Sequence, residues 1–310
     1  MSGAAFAQST VSLTGKLRFA YGETKSTAGV KANGGGMTDG DWNIAAVEDL
    51  GGGLKAGANM ALRLRGRDAA TDSLSGGSTT DGNGARPRDS SVYLTGGFGT
   101  ITAGSIEAGN GLLPLLTAGG PNYIGLDTGV TLAAPSNVDI LQYTSPSMSG
   151  FSLSVNTTDA IGTGKAENGG SAETFGVKYN NGPLSADVNM TSYGSAYGPA
   201  ADSRTRISAN YNLGMARVGA GFQSSKATTG VKKEDTAFSV SAPFGAFNVG
   251  VIYATSQTDG VAGTAKAYDF AVQYNLSKRT YLALQGQSIK AAKAGAIAAT
   301  NTRVQLAHSF

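Results

Sequence analysis

The sequence contains no cysteine, and only one histidine and one tryptophan occur among its 310 residues. Without cysteine the chain has no disulfide framework, no thiol nucleophile and no thiolate metal site. A single histidine does not supply the several imidazoles that a histidine-based metal centre requires. The composition therefore disfavours redox and metal-centred chemistry and predicts no cofactor.

Charge of one sign and long apolar runs are also scarce. The 24 basic and 21 acidic residues give a net charge of +3 and are dispersed along the chain. Such a balanced and dispersed charge does not provide the basic surface that is typical of nucleic-acid-binding proteins, so no nucleic-acid partner is predicted. No stretch approaches the roughly 18 apolar residues that a transmembrane helix requires, and the mean hydropathy is −0.10. The sequence therefore excludes a helical membrane protein.

What the sequence does have is glycine and a two-residue periodicity. Glycine accounts for 46 of the 310 residues, about twice its usual share. In the first segment apolar residues occupy positions 11, 13, 17 and 19, whereas Ser12, Thr14, Lys16 and Arg18 lie between them. Such alternation places apolar and polar side chains on opposite faces of a strand. About sixteen segments of this kind recur, among them those near Leu54, Phe175, Thr205, Phe247 and Tyr268.

The connections between these segments alternate in length. Seven are tight turns rich in Gly, Asn, Pro and Ser, at 49–53, 96–99, 146–150, 180–183, 212–214, 243–246 and 275–279. Eight are longer and polar, near 22–40, 67–87, 105–137, 157–172, 194–203, 224–234, 256–264 and 290–300. Seven turns and eight loops connect sixteen strands and leave both termini on the short-turn side, as in bacterial outer-membrane barrels.

The length of the segments favours a membrane. Segments of about 9 to 11 residues match tilted strands that cross the hydrocarbon layer. An open sheet edge would leave backbone groups unsatisfied in lipid, so the sheet is expected to close. The predicted fold class is all-β, a transmembrane antiparallel 16-stranded barrel whose wide polar interior contains water. The alternative is a soluble β-sandwich whose aromatic residues form an ordinary core.

The N-terminus carries a short segment that resembles an export signal. Ala5-Phe6-Ala7 before Gln8 has the small-x-small pattern of a signal-peptidase site. We therefore predict that residues 1–7 are a signal-peptide remnant and that residues 8–310 form a single barrel domain exported through the periplasm. A cloning scar is the alternative origin of residues 1–7.

Several motifs together resemble the Gram-negative general diffusion porins, specifically their trimeric group with a C-terminal His-x-Phe. They are VEDLGGGLKAG at 47–57, GGFGTITAG at 96–104, SPSMSGFS at 145–152, NLSKRT at 275–280 and AHSF at 307–310. This resemblance covers essentially the whole chain.

The resemblance implies a homotrimer in the outer membrane, in contact with membrane lipid and lipopolysaccharide. It implies that the third outer loop, 105–137, folds inward and narrows the pore. It also implies that the final aromatic residue, Phe310, serves as the recognition signal for barrel assembly. The implied function is passive diffusion of small hydrophilic solutes and inorganic ions, with no catalytic residue and no enzymatic step.

Basic residues on the predicted inner face suggest the selectivity of such a pore. The alternation turns five basic residues inward near mid-height, namely Lys16, Arg18, Arg63, Arg65 and Arg303. A basic wall in a narrow pore attracts anions and repels cations. Hydrogen bonding of these residues to loop backbone is the alternative role.

Other positions weaken the expected anion preference. The family usually places acids opposite its arginines, and Glu107 and Asp127 in the third loop are the candidates. Positions 41, 45, 105 and 142, where relatives often carry basic residues, hold Asp, Ala, Ser and Gln. We therefore expect a weak to moderate anion preference.

Two other functions fit the same fold. One is a solute-specific outer-membrane channel, for which Tyr93, Tyr193 and Tyr281 are predicted to face inward. The other is a surface adhesin or receptor that uses the barrel only as an anchor.

Overall fold

A computed structural model describes residues 10–64, 86–106, 138–160, 170–194, 201–293, 295–296 and 298–310. It has sixteen strands. They are β1 Thr10–Lys25, β2 Lys31–Gly51, β3 Leu54–Arg63, β4 Arg86–Gly96, β5 Gly99–Ile106, β6 Val138–Thr144, β7 Phe151–Ala160, β8 Ser171–Asn181, β9 Leu184–Tyr193, β10 Ala201–Asn212, β11 Arg217–Ala227, β12 Lys232–Phe244, β13 Phe247–Thr258, β14 Ala265–Asn275, β15 Thr280–Lys290 and β16 Ala299–Ser309.

The sixteen strands form one closed antiparallel barrel. Each strand pairs with its neighbour in sequence, and β16 pairs with β1 over a register that runs from Lys16↔Ser309 to Lys25↔Thr300. The predicted fold class and strand number are confirmed. Within the described ranges no helix is long and apolar enough to cross a membrane.

The two faces of the wall differ as the alternation predicts. Large apolar side chains point outward and are exposed, with Val11 at 70% and Phe244 at 63%. Among the described residues, every buried apolar side chain except Val138 is an alanine. Most large apolar residues of a water-soluble protein would instead be buried in its core. The solvent that covers the outer face is therefore lipid.

The turns lie where the sequence predicts them, but two outer connections are much shorter than predicted. All seven tight turns overlap their predicted positions, for example at 52–53 and 182–183. The first outer connection is only 26–30 instead of 22–40, and the sixth is only 228–231 instead of 224–234. Strands continue there through polar residues, because the hydrogen-bonded ladder extends beyond the part of the wall that contacts lipid.

Some predicted segments lie outside the described residues. The proposed signal remnant, residues 1–7, is one of them. The predicted constriction loop, 105–137, is described only at Ser105 and Ile106, which end β5. Its inward fold stays a prediction.

We expect a charge in the middle of the outer face to destabilise the barrel. Val251 is 55% exposed on β13, between the outward residues Val240 and Phe270 of the neighbouring strands. Val251→Arg should lower the free energy of unfolding by about 2 to 4 kcal/mol, the cost of a cation at the membrane midplane. Urea unfolding in lipid vesicles, followed by gel mobility, measures it. The control Gln273→Arg places the same charge on the inner face, and an equal loss there would contradict the assigned orientation.

Candidate functional site: the charged inner wall

Strands β1 to β4 bring a compact set of charges together on the inner face. Lys16 and Arg18 come from β1, Asp39 and Asp41 from β2, Arg63 from β3 and Arg88 from β4. The ladder places Lys16 opposite Asp41, Arg18 opposite Asp39 and Asp41 opposite Arg63. This set of six residues is called the charged inner wall below.

Each carboxylate of the charged inner wall is shared by two cations. Lys16 Nζ lies 2.7 Å and Arg18 Nη2 lies 3.0 Å from Asp39 Oδ2. Arg63 Nε lies 3.5 Å from Asp41 Oδ1, and Arg88 Nη1 lies 2.6 Å from Asp41 Oδ2. Four cations therefore surround two carboxylates, and the formal charges of these six residues sum to +2. Asp89, which lies opposite Ala61 on β4 beside Arg88, adds a third acid to the same part of the inner face.

The two acids are more buried than most of the cations that surround them. The side chain of Asp39 is 9% exposed, whereas those of Lys16 and Arg88 are 38% and 33% exposed. The groups of this set that are exposed to the lumen are therefore mainly positive. Two irregularities in the ladder adjoin the charged inner wall, one between Arg18 and Phe19 and one between Ala61 and Leu62. The second leaves Arg88 as an extra residue in β4, and its guanidinium reaches across to Asp41.

The structure places only some of the predicted basic residues together. Lys16, Arg18 and Arg63 belong to the charged inner wall. Arg303 lies on β16 opposite Gly22, four residues beyond Arg18 along β1, a displacement of about 13 Å. It does not share the band of the other three, because the register of β16 offsets it. Its Nε donates to Gln285 Oε1 at 3.1 Å, and the residue is only 6% exposed. Arg65, Glu107 and Asp127 lie outside the described residues.

Sequence reasoning missed Asp39 and Arg88. The predicted loop 22–40 contains Asp39 and the predicted loop 67–87 adjoins Arg88, so the alternation of the predicted strands does not reach either residue. An inward strand position shared with Asp41 was the available signal for Asp39. The irregular position of Arg88 has no sequence signal, because it depends on how β4 pairs with β3.

A second polar network lies across the barrel on β10 to β12. Arg206 Nε and Nη2 donate to Gln223 Oε1 at 2.9 and 2.7 Å, and Gln223 Nε2 donates to Asp235 Oδ2 at 3.0 Å. Lys233 Nζ lies 3.6 Å from Asp235 Oδ1. Gln223 is fully buried, so this network connects the three strands within the wall.

The inward tyrosines do not form a continuous track. Tyr93 covers Gly57 on the neighbouring strand. Tyr193 lies beneath the guanidinium of Arg204, with 5.7 Å between the guanidinium carbon and the ring centroid. Tyr281 is on β15, far from both along the wall. In the part of the chain that the structure describes, no group of three or more His, Asp or Glu side chains converges as metal ligands would.

The C-terminal residue closes the barrel seam. Gly15 and Phe310 exchange backbone hydrogen bonds of 3.0 Å in both directions. The Phe310 ring crosses Gly15, where a Cβ would collide with it, and meets Trp42 of β2 edge-on at 4.8 Å between ring centroids. Glycine at position 15 is therefore required by close approach, and Phe310 links β16, β1 and β2.

Comparison with known proteins identifies the family. A sequence profile of Gram-negative porins matches residues 1–293. The chain belongs to the Gram-negative porin family. It is an outer-membrane porin, a passive diffusion channel, and its barrel crosses the outer membrane.

Individual relatives agree with this assignment. This porin is 28% identical over 312 residues to outer membrane porin protein 32 of Delftia acidovorans, covering 91% of this chain and 84% of that protein. It is similar in structure to an anion-selective porin from Comamonas acidovorans, with a TM-score of 0.79, 25% identity and coverage of 98% and 100% of the two chains. A loop-deletion variant of OmpT from Vibrio cholerae shares the fold at 11% identity, with a TM-score of 0.70 and coverage of 97% and 99%.

We predict that the Phe310 ring stabilises the seam of this porin. Phe310→Ala should lower the free energy of unfolding by about 2 kcal/mol, because it removes a half-buried ring and an aromatic pair. Trp42 is the only tryptophan, so its fluorescence during denaturant unfolding reports directly on this contact. Phe310→Tyr keeps the ring and should behave like the wild type. Equal stability of the Ala and Tyr variants would show that the ring contact contributes nothing.

Proposed function

We propose that this porin conducts small hydrophilic solutes and inorganic ions with a weak to moderate preference for anions and without any chemical step. The observation that carries the proposal is the charged inner wall, in which four cations share two carboxylates. The structural relative from Comamonas acidovorans is described as anion-selective, which supports the same sign of preference.

The strength of the preference follows from the pairing of the charges. A cluster of like charges beside a low-dielectric wall sets up a potential of several kT and selects ions by their sign. Asp39 and Asp41 cancel part of this potential at its source. The remaining excess of positive charge favours anions in the pore but does not exclude cations.

Arg65, Glu107 and Asp127 complete the proposed selectivity region. The resemblance to porins supports their roles, with Arg65 on the barrel wall and the two acids on the loop 105–137 opposite. We propose that this loop narrows the pore and that Glu107 and Asp127 create a transverse field with the charged inner wall.

We also propose that the porin is a homotrimer, with lipopolysaccharide around its outer rim. Beyond the family resemblance, the outer face of β2 to β6 supports a protein partner. A depression of about 670 Å³ lies there, lined by small and apolar residues such as Ala46, Ala58 and Ala103. Wide exposed apolar surfaces of this kind suit a subunit contact as well as lipid.

A carboxylate in the lining of the depression indicates that a protein, rather than lipid, covers this surface. Asp139 points outward from β6 and accepts a hydrogen bond from Ser105 of β5. It lies six residues from the short turn that follows β6, about 14 Å above that rim for a tilted strand and within the roughly 25 Å apolar band. A charged group at this depth is costly against acyl chains, so a neighbouring subunit is the better cover.

Removing charges of either sign from the charged inner wall should shift selectivity in opposite directions. Arg63→Gln with Arg88→Gln should move the reversal potential in a salt gradient toward cations, whereas Asp39→Asn with Asp41→Asn should move it toward anions. A change of about one kT in pore potential alters the anion-to-cation permeability ratio by about seven-fold. Planar-bilayer recordings measure both shifts. Lys278→Gln, in a short turn, is the control, and the proposal fails if the two double variants match it.

Filling the outer depression should disrupt the trimer. Ala58→Trp places a large ring where neighbouring small residues form the depression, so the predicted subunit contact should open by steric conflict. Native mass spectrometry in detergent should show trimers for the wild type and mainly monomers for the variant. Val272→Trp, outward on β14, should remain trimeric. A monomeric wild type, or a trimeric Ala58→Trp variant, would contradict this interface.

A further inference from the structure

The outer face of β13 to β16 changes its chemistry in steps along the strands. Residues paired directly across these strands form rows that run around the barrel. Near the short turns, one row above Phe247, Tyr274, Leu282 and Leu306, lies an apolar row of Val249, Val272, Leu284 and Val304. A later row carries hydroxyl groups on Tyr253, Tyr268, Ser288 and Thr300. The next outward positions on β14 and β15 are Lys266 and Lys290. This order follows the change from acyl chains to polar headgroups across a membrane interface.

Lys266 and Lys290 form a like-charge pair. They are directly opposite in the ladder, both exposed and both outward. Like charges at such positions destabilise a sheet unless an anion lies between them. Among the described residues neither ammonium has a carboxylate partner. Two other outward lysine pairs, Lys25 with Lys31 and Lys226 with Lys232, each have a carboxylate partner. Lys31 lies 3.0 Å from Glu23, and Lys226 lies 3.0 Å from Asp202.

The height of the pair matches the outer edge of the apolar band. Lys266 lies nine residues above the end of β14 and Lys290 ten residues above the start of β15. At about 3.3 Å per residue and a tilt of about 45°, both lie about 21 to 23 Å above the short-turn rim. The apolar band of such barrels is about 25 Å tall. The pair therefore lies where the headgroups of the outer leaflet begin.

We propose that Lys266 and Lys290 together bind a phosphate group of a phosphorylated glycolipid in the outer leaflet. A phosphate monoester carries a charge of about −1.5 to −2, which two ammonium groups neutralise through charge-assisted hydrogen bonds. The hydroxyl groups of Tyr268, Ser288 and Thr300 lie one row below and provide partners for the sugar. The apolar row beneath them contacts the acyl chains. The proposal deepens, and rests on, the lipopolysaccharide contact proposed above.

Native mass spectrometry of the detergent-solubilised porin, titrated with bis-phosphorylated lipid A, tests the site. Lys266→Gln with Lys290→Gln should weaken binding by about 30-fold, because each lysine near an anionic lipid surface strengthens binding by roughly five- to six-fold. Lys266→Arg with Lys290→Arg should retain binding. Lys25→Gln with Lys31→Gln removes the same charge from an outward pair that already has Glu23, and it should have little effect.

Two further ligands identify the source of the phosphate. Dephosphorylated lipid A should bind the wild type about as weakly as lipid A binds the double Gln variant. Inorganic phosphate should compete only weakly, because it lacks acyl chains. The proposal is overturned if the double Gln variant binds lipid A like the wild type, if the Lys25/Lys31 variant loses as much, or if dephosphorylated lipid A or free phosphate binds equally well.

Channel recordings of the same variant separate this proposal from the proposed function. Lys266 and Lys290 lie outside the pore, so their double Gln variant should keep the wild-type reversal potential. Loss of lipid binding with unchanged ion selectivity supports the lipid site. Unchanged lipid binding overturns the lipid site and leaves the anion-preferring channel intact, whereas a shifted reversal potential overturns the outward placement of the pair.

Discussion

Closure of the hydrogen-bonded ladder is the constraint on which the rest of the structure depends. Hydrocarbon offers no partner to a backbone N–H or C=O group, so every strand in the membrane needs two neighbours. The pairing of β1 with β16 supplies the last of them, and the reciprocal bonds between Gly15 and Phe310 complete it near the C-terminus. Once the ring is closed, each side chain has only two environments, the lipid outside or the lumen inside.

This division creates a conflict on the inner face. Ion selectivity needs charges of one sign to remain uncompensated, whereas charges on a wall backed by hydrocarbon are stable only when they have partners. The charged inner wall meets both requirements. Asp39 and Asp41 each bind two cations, while the side chains of Lys16 and Arg88 remain partly exposed to the lumen. The outer face has the complementary problem at Lys266 and Lys290, where the partner we propose comes from the lipid rather than from the chain.

The sequence pattern predicted the barrel well where the strands contact lipid and less well beyond it. Val11 to Phe19 alternate between apolar and polar residues because one face meets acyl chains and the other meets water. Above the membrane both faces meet water, so the alternation ends although the ladder continues to Lys25 and starts again at Lys31. This is why the first outer loop was predicted too long. The same misplaced boundaries hid Asp39 and Arg88 from the sequence-based selection of pore residues.

The sequence by itself determined the strand number, the short turns and the face on which side chains lie in the segments that contact lipid, because these depend only on local alternation and turn chemistry. Only the tertiary structure decided which charges meet. Asp41 and Arg88 are 47 positions apart, and an irregular pairing of β3 with β4 brings them together, while the register of β16 keeps Arg303 away from Arg18. Register depends on contacts along whole strands and on ring closure, so it cannot be read from any one segment.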